Sequence, residues 1–261
     1  MRTTDPDPGG APSTDPGALI LDLLLMADDA RVSSDELTAA GAVFDQSATA
    51  MTDAAARLVS EGRLTRTEDG SFVESGPDAV SARRLRQWRE TVFRRRVWTG
   101  CWLLAADAPT AAEALQVEGF RRTAEGFWLR PDTIVGGLDA CRDRLREAGV
   151  PPTLFTARLD RLDGAVTRTA ASLWDVSGMG ETRKALLARL ARSSEQLGSL
   201  PPAAAARESL TLGAAVVRTI AGDPLLPMDW DARPLVEELA PALQAYDGPR
   251  REAWAAALTR A

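Results

Sequence analysis

The side chains able to do chemistry in this chain are few, and they do not gather into a familiar reactive set. Histidine is absent from all 261 residues. Serine and cysteine nucleophile systems usually need an imidazole base, as do most catalytic zinc sites. The two thiols, Cys101 and Cys141, form no CxxC pair and read as small core residues in a reducing compartment. Carboxylates adjoin at Asp28-Asp29 and Glu237-Glu238, but in polar surroundings that suit solvated surface rather than acid–base work. There is no GxxxxGK[ST] and no GxGxxG after a strand. The glycine cluster Ser177-Gly178-Met179-Gly180 reads as a turn before a helix, or else as an anion cradle at that helix's start. These features argue against an enzyme.

What remains is charge available for binding. Between Arg83 and Arg96 seven arginines face the single acid Glu90, a local balance of +6 in a chain whose net charge is −6. Such a basic stretch suits phosphate contacts. It also suits a solvated helix, or one paired with acids of a partner subunit.

The elements that must position these groups are legible from periodicity and punctuation. Residues 1–16, rich in Pro, Gly, Asp, Ser and Thr, predict a disordered tail. The tail lacks a basic and then apolar stretch, so it is no secretory signal. No run approaches the ~20 apolar residues of a membrane span. Gly17 to Ala27 is apolar enough for a buried helix. Ser33 and Glu36 form a capping box opening a second helix to about Val43. Ser47 or Thr49 caps a third, with Met51, Ala55, Leu58 and Val59 at helical spacing and Gly62 as its stop. Two short strands, 64–66 and 71–73, flank the turn signal Asp69-Gly70. Three helices and a hairpin over 17–76 predict a winged helix, whose third helix faces the major groove.

A long basic linker helix is expected over 77–96. Over 97–165 strands alternate with helices: strands at 98–105, 126–129 and 154–159, helices at 110–118 and 137–148. That alternation predicts a small ferredoxin-like α+β domain. The remainder, 166–261, reads as a helical domain. Its helices are expected at 181–197, 203–220, 234–246 and 249–259, broken at Pro201-Pro202 and Asp223-Pro224. The fold class expected is therefore α+β and multi-domain.

Three local strings together resemble the PaaX-type regulator family, named for the repressor of phenylacetate degradation. They are Trp98-x-Gly100-x-Trp102; Gly119-Phe120 followed by Gly126-x-Trp128-x-x-Pro131; and Asp223-Pro224-x-Leu226-Pro227 with Trp230 soon after. Leu173-Trp174-Asp175 is a weaker fourth. The resemblance implies a winged-helix domain, a ferredoxin-like middle domain and a helical C-terminal domain. It also implies a cytoplasmic homodimer that represses transcription from double-stranded DNA and is released by an acyl-CoA or aromatic-acid effector. No cofactor is implied.

On that reading Ser47, Thr49 and Thr52 contact phosphates or bases, and Arg57, Arg63 and Arg66 anchor the backbone. Arg83, Arg84 and Arg86, with the rest of their run, add electrostatic attraction. Trp98, Trp102, Trp128 and Trp174 line an apolar effector pocket or else serve as core, with Arg130 or Arg158 reaching an anionic group. On this pocket reading, Arg130→Ala weakens ligand response in a folded protein.

The chain departs from the family on the third helix. There the usual Arg-Thr-Ala-x-Ser-Arg-Leu is replaced by Thr52, Asp53, Ala54, Ala55, Ala56, Arg57 and Leu58. From Asp28 to Ala56 six acids face Arg31 alone, a balance of −5. The alternative function is accordingly a family member whose acidic winged helix binds protein, with no specific DNA site.

Overall fold

The computed structural model describes residues 15–27, 29–76, 85, 94–106, 109–150, 156–159 and 163–258. Residues 1–14 of the expected tail, the segment 77–93 apart from Leu85, and Arg83, Arg84 and Arg86 with it, lie outside the described residues. Asp15 and Pro16, expected in the tail, instead open the first helix, because the Asp15 carboxylate caps its free amides. The chain is mixed helix and strand, α+β. Contacts divide it into two units: Met1–Arg86 with Ala185–Arg218 and Leu239–Ala261, and Gln87–Lys184 with Thr219–Glu238. The C-terminal helices are thus shared between the units rather than forming a body of their own.

The first unit begins with α1 (Pro16–Met26), β1 (Arg31–Val32), α2 (Ser34–Val43), α3 (Ala48–Ser60), β2 (Leu64–Arg66) and β3 (Phe72–Glu74). Asp15 caps α1 by accepting from the Ala18 amide at 2.9 Å. Ser33 and Glu36 close the capping box on α2, and Ser47 accepts from Ala50 to cap α3. The hairpin turn places Gly70 at φ 83, a left-handed conformation that a side chain disfavours. β1 was not legible as a strand. It pairs antiparallel with β3, giving the order β1-β3-β2. Two residues carry too little alternation to announce a strand; the pairing with Phe72 and Val73 defines it.

Leu19, Ile20, Leu24, Leu37, Met51, Leu58, Leu64 and Phe72 form the core beneath these elements. Leu210 and Trp254 from the C-terminal helices join it. This explains why α1 is apolar almost all round: one stripe packs on α3 and the rest meets the C-terminal helices of the same unit.

Those helices are α7 (Val176–Gln196), α8 (Pro202–Ala221) and α9 (Val236–Leu258). Before them lie α4 (Ala112–Val117), α5 (Gly137–Glu147) and α6 (Gly164–Ala171), and the strands β4 (Trp102–Ala105), β5 (Arg121–Arg122), β6 (Trp128–Pro131) and β7 (Thr156–Leu159). Two expected breaks are corrected. α7 opens at Val176, with Asp175 accepting from the Gly178 amide at 2.9 Å, so the 177–180 glycine cluster is helical rather than a turn. α9 runs as one helix through Pro249. There Asp247 accepts from Arg250 at 2.7 Å and Arg251 at 3.2 Å, tying the turns on both sides of the proline. A buried stripe of Leu243, Tyr246, Arg250, Ala253 and Ala257 continues across it. Packing outweighs the local propensity.

Between α7 and α9, Ser193 and Tyr246 share a buried hydrogen bond of 2.7 Å. Arg189 meets Glu208 through two parallel contacts of 3.1 and 2.8 Å. Burial pushes the Tyr246 phenol above its ordinary value near 10, although the Ser193 hydrogen bond opposes it. The folded state therefore holds the phenol neutral. Its contribution is present below the unfolded value and is lost as pH rises through the folded one. As Tyr246 is the only tyrosine, absorbance at 295 nm follows it alone. The expected titration is displaced above 10 and merges with alkaline unfolding; a midpoint at or below the ordinary value would contradict the burial.

In the second unit the strands run β4-α4-β5-β6-α5-β7, and the sheet is antiparallel in the order β5-β6-β4-β7. β4 lies inside the sheet and is buried on both faces, which accounts for its continuous apolar run. Leu103 and Ala105 point toward Leu115, Cys141 and Leu145 of the helices. Trp102 points the other way, toward Leu129, Ala170, Trp174 and Leu226. The expected strand at 98–105 is shorter than read. Residues 98–101 form a loop in which Trp98 Nε1 donates to the Cys101 carbonyl at 2.6 Å. The expected linker helix does not reach Arg96: Arg95 bridges to Ile134 as an isolated β-pair, and the Arg96 amide donates to Thr133 at 2.7 Å.

Candidate nucleic-acid interface

α3 presents two faces. Met51, Ala54, Ala55 and Leu58 are buried against the core, while Thr49, Thr52, Asp53, Ala56, Arg57 and Ser60 are exposed at the complementary spacing. The outer stripe is the one expected to meet DNA, and Ser47, Thr49, Thr52 and Arg57 all lie on it or at its start.

Their hydrogen-bonding state differs. Ser47 Oγ accepts from Ala50, which leaves its O–H to donate outward. Thr52 donates at 3.0 Å to the carbonyls of Ala48 and Thr49, so an external contact would displace a local one. Arg57 lies 3.8 Å from Asp15 and 3.9 Å from Glu61, both long and exposed pairings that hold it weakly.

Arg66 projects from the hairpin over the Phe72 ring at 5.9 Å and its Nε donates to the Gly70 carbonyl at 3.4 Å. Arg63, just before β2, is half-buried. At the tip, Asp69 accepts from Thr67, from the Ser71 amide at 3.2 Å, and from Arg31 at 2.6 Å. The Thr67 hydroxyl, then the Ser71 amide, hold its carboxyl down at about 2. It is therefore an anion at neutral pH, on a wing that also carries Glu68. Over residues 17–76 eleven acids face four arginines, a net charge of −7.

The arginine run is partly engaged inside the second unit. Arg95 donates to Glu237 at 2.5 Å, to Asp231 at 3.0 Å and to the Leu226 carbonyl. Arg96 pairs with Asp132. Arg183 completes the network, reaching Asp223 at 2.5 Å and Asp231 at 2.7 Å with its side chain 1% exposed. Burial works against the Arg183 charge, but Asp223 and Asp231 outweigh it and push its pKa up. None of these residues was foreseen as a group.

The expected effector residues are distributed in the same unit. Trp98, Trp102 and Trp174 belong to one cluster, and Trp128 lies on the opposite side of the sheet. Trp98 and Trp102 stand edge to face at 5.6 Å, and Trp230 contacts both at 4.6 and 5.5 Å. Trp230, soon after the Asp223-Pro224 motif, is more than a hundred residues from Trp98 and Trp102, and only the fold brings the two segments together. Trp174 donates to the Gly119 carbonyl at 3.2 Å. Trp102 Nε1 is buried and meets no hydrogen-bond partner among the described residues. Arg130 is 1% exposed and donates to the carbonyls of Glu118, Pro131 and Pro224. It holds loops rather than pointing outward. Arg158 lies on β7 opposite Leu103.

The geometry defines an α+β chain with an exposed helix beside a short hairpin and a separate antiparallel sheet packed with tryptophan. No protein family matches it, and no curated protein does. Among solved structures it is similar to an uncharacterised protein, Rv0674, from Mycobacterium tuberculosis, with 26% identity and a TM-score of 0.55. The match covers 95% of this chain and 99% of that one. Among the described residues, no helix is long and apolar enough to cross a membrane.

Proposed function

We propose that this chain is a cytoplasmic transcription regulator of the PaaX type, rather than an enzyme, binding double-stranded DNA as a homodimer. On this reading α1–α3 with β1–β3 are a winged helix, the sheet β4–β7 with α4 and α5 is ferredoxin-like, and α6–α9 are the C-terminal helical part. The observation that carries the reading is α3. It is buried on one stripe and open on the other, and the open stripe bears Thr49, Thr52 and Arg57, with Arg66 on the neighbouring hairpin. Hydroxyls and arginines on a supported helix are what phosphate and base-edge contacts require. An acyl-CoA or aromatic acid is the proposed effector. The Trp98–Trp102–Trp230 cluster supports it, with Trp98 and Trp230 half-buried at its edge.

A second reading has its own support. The charge of −7 over residues 17–76 repels DNA and suits a protein-interaction module without a specific DNA site.

Selection of DNA fragments on the purified protein at low and moderate salt, with and without acyl-CoA thioesters, separates the two. The first predicts an enriched palindrome released by a thioester, with Arg57→Ala weakening binding about tenfold and flattening its salt dependence. No enrichment at low salt, where arginine–phosphate attraction is greatest, removes the DNA reading and leaves the second.

A further inference from the structure

We propose that Arg207 is a positioning residue for α3: from α8 it holds the turn that joins α2 to α3. α2 ends at Val43, whose carbonyl is among those a helix C-terminus leaves without an internal partner. Only Phe44, Asp45 and Gln46 separate it from the α3 cap, Ser47. Asp45 adopts φ 57, a left-handed conformation that a residue with a Cβ holds when its surroundings support it. Arg207 supplies that support at two points. Its Nε donates to the Val43 carbonyl, and its Nη1 lies 2.7 Å from Asp45 Oδ2. One planar guanidinium thus fixes both sides of the turn.

The surroundings make this a lever. Val43 packs with Ala206 and Ala257 beside the guanidinium, and Phe44 and Trp254 lie against them. α1 is tied to the same helix by Arg218 and Asp22. Gly213 comes so close to α1 that a Cβ there would lie 2.8 Å from Met26 Cε. α3 rests on α1 and α2, and α8 holds both. A displacement of α8 therefore re-aims α3.

The two arms of Arg207 differ in strength. The Asp45 side chain is 75% exposed, so its ion pair is weak in water. The carbonyl contact is the arm that matters. Hence Asp45→Asn stays near wild type, Arg207→Ala loses the lever, and Arg207→Lys, with one donor group instead of a fork, recovers it in part. The geometric half of this proposal stands without DNA, while its consequence for DNA affinity rests on the function proposed above.

The test uses the full chain with spin labels at Ala56→Cys on α3 and Ala204→Cys on α8, both exposed. The distance between the labels is measured together with amide exchange. Wild type gives one narrow distance distribution. Arg207→Ala broadens it and speeds exchange of the Gln46 and Met51 amides by about tenfold. It leaves the Leu243 amide in α9 unchanged. Arg207→Lys falls between. An unaltered distribution in Arg207→Ala overturns the proposal, and so does exchange that rises equally in α8 and α9. If wild type binds no DNA but Arg207→Ala still broadens the distance, the lever stands and the DNA reading falls. If DNA is bound, Arg207→Ala weakens it about tenfold, and Arg57→Ala weakens it without altering the distance.

Discussion

Arg183→Met is expected to lower the unfolding free energy of the unit that holds it by about 3–5 kcal/mol. Arg183 sits between Asp223 and Asp231, all three side chains at most 2% exposed, and it also donates to the Ala232 carbonyl at 3.2 Å. Methionine fills much of the volume but offers no proton and no charge. Two carboxylates then remain in the interior. Among the described residues, Arg95 stays 3.0 Å from Asp231, and Asp223 keeps the Leu225 amide at 2.8 Å but no paired cation. An unpaired buried carboxylate is far costlier than the intact pair is favourable, so the loss exceeds anything a surface ion pair supplies. Urea unfolding followed by tryptophan fluorescence reports it, because Trp98, Trp102, Trp174 and Trp230 lie in the same unit. The midpoint falls while the slope is kept. Adding Asp223→Asn removes one stranded charge and is expected to recover part of the loss. An unchanged midpoint in Arg183→Met would show that the network contributes nothing.

Arg130→Ala is expected to cost about 2–4 kcal/mol. The guanidinium serves carbonyls from three places in the chain, Glu118, Pro131 and Pro224, and lies 5.9 Å from the Phe120 ring centre. Truncation takes the guanidinium donors from these carbonyls, of which Pro131 still accepts from the Thr133 amide at 3.0 Å, and opens a hole beside Phe120, which is fully buried. The site is tight: at Gly119, φ 83, a Cβ would lie 3.1 Å from Pro224 Cα and 3.2 Å from an Arg130 nitrogen. The sequence alone suggested a variant that stays folded and loses ligand response. The fold instead expects a lowered melting temperature before any effector is added. A fully stable Arg130→Ala protein with an altered effector response would restore the outward-facing role.

Much of the first unit was legible because its signals are local. Ser33 with Glu36, and Ser47, each satisfy amides within three residues, so their meaning is readable in a short window. Asp15 caps α1 in the same way but stands inside the stretch expected as tail. Gly62 and Asp69-Gly70 end a helix and turn a hairpin by backbone conformation alone. The two faces of α3 follow from its period, and hence also the exposure of Thr49, Thr52 and Arg57.

The second unit shows the limit. Arg95 appeared as one charge in a basic run, yet it meets Glu237, 142 residues away. Arg183 and Asp223 are separated by 40 residues, and Arg130 and Pro224 by 94. No periodicity announces such pairs, since an arginine inside and one outside look alike until burial is known. The same holds for Trp230 beside Trp98, and for β1, which exists because β3 offers its edge. α9 crosses Pro249 for a related reason: a local breaker was overruled by a continuous buried stripe and by Asp247 holding Arg250 and Arg251. Helix starts, chain turns and apolar faces can be read from the residues in order, because they depend on neighbours within a few positions. Which arginines are held inside, which tryptophans meet and what holds the α2–α3 turn emerge with the assembled fold, because these depend on distant segments being brought into contact and out of water.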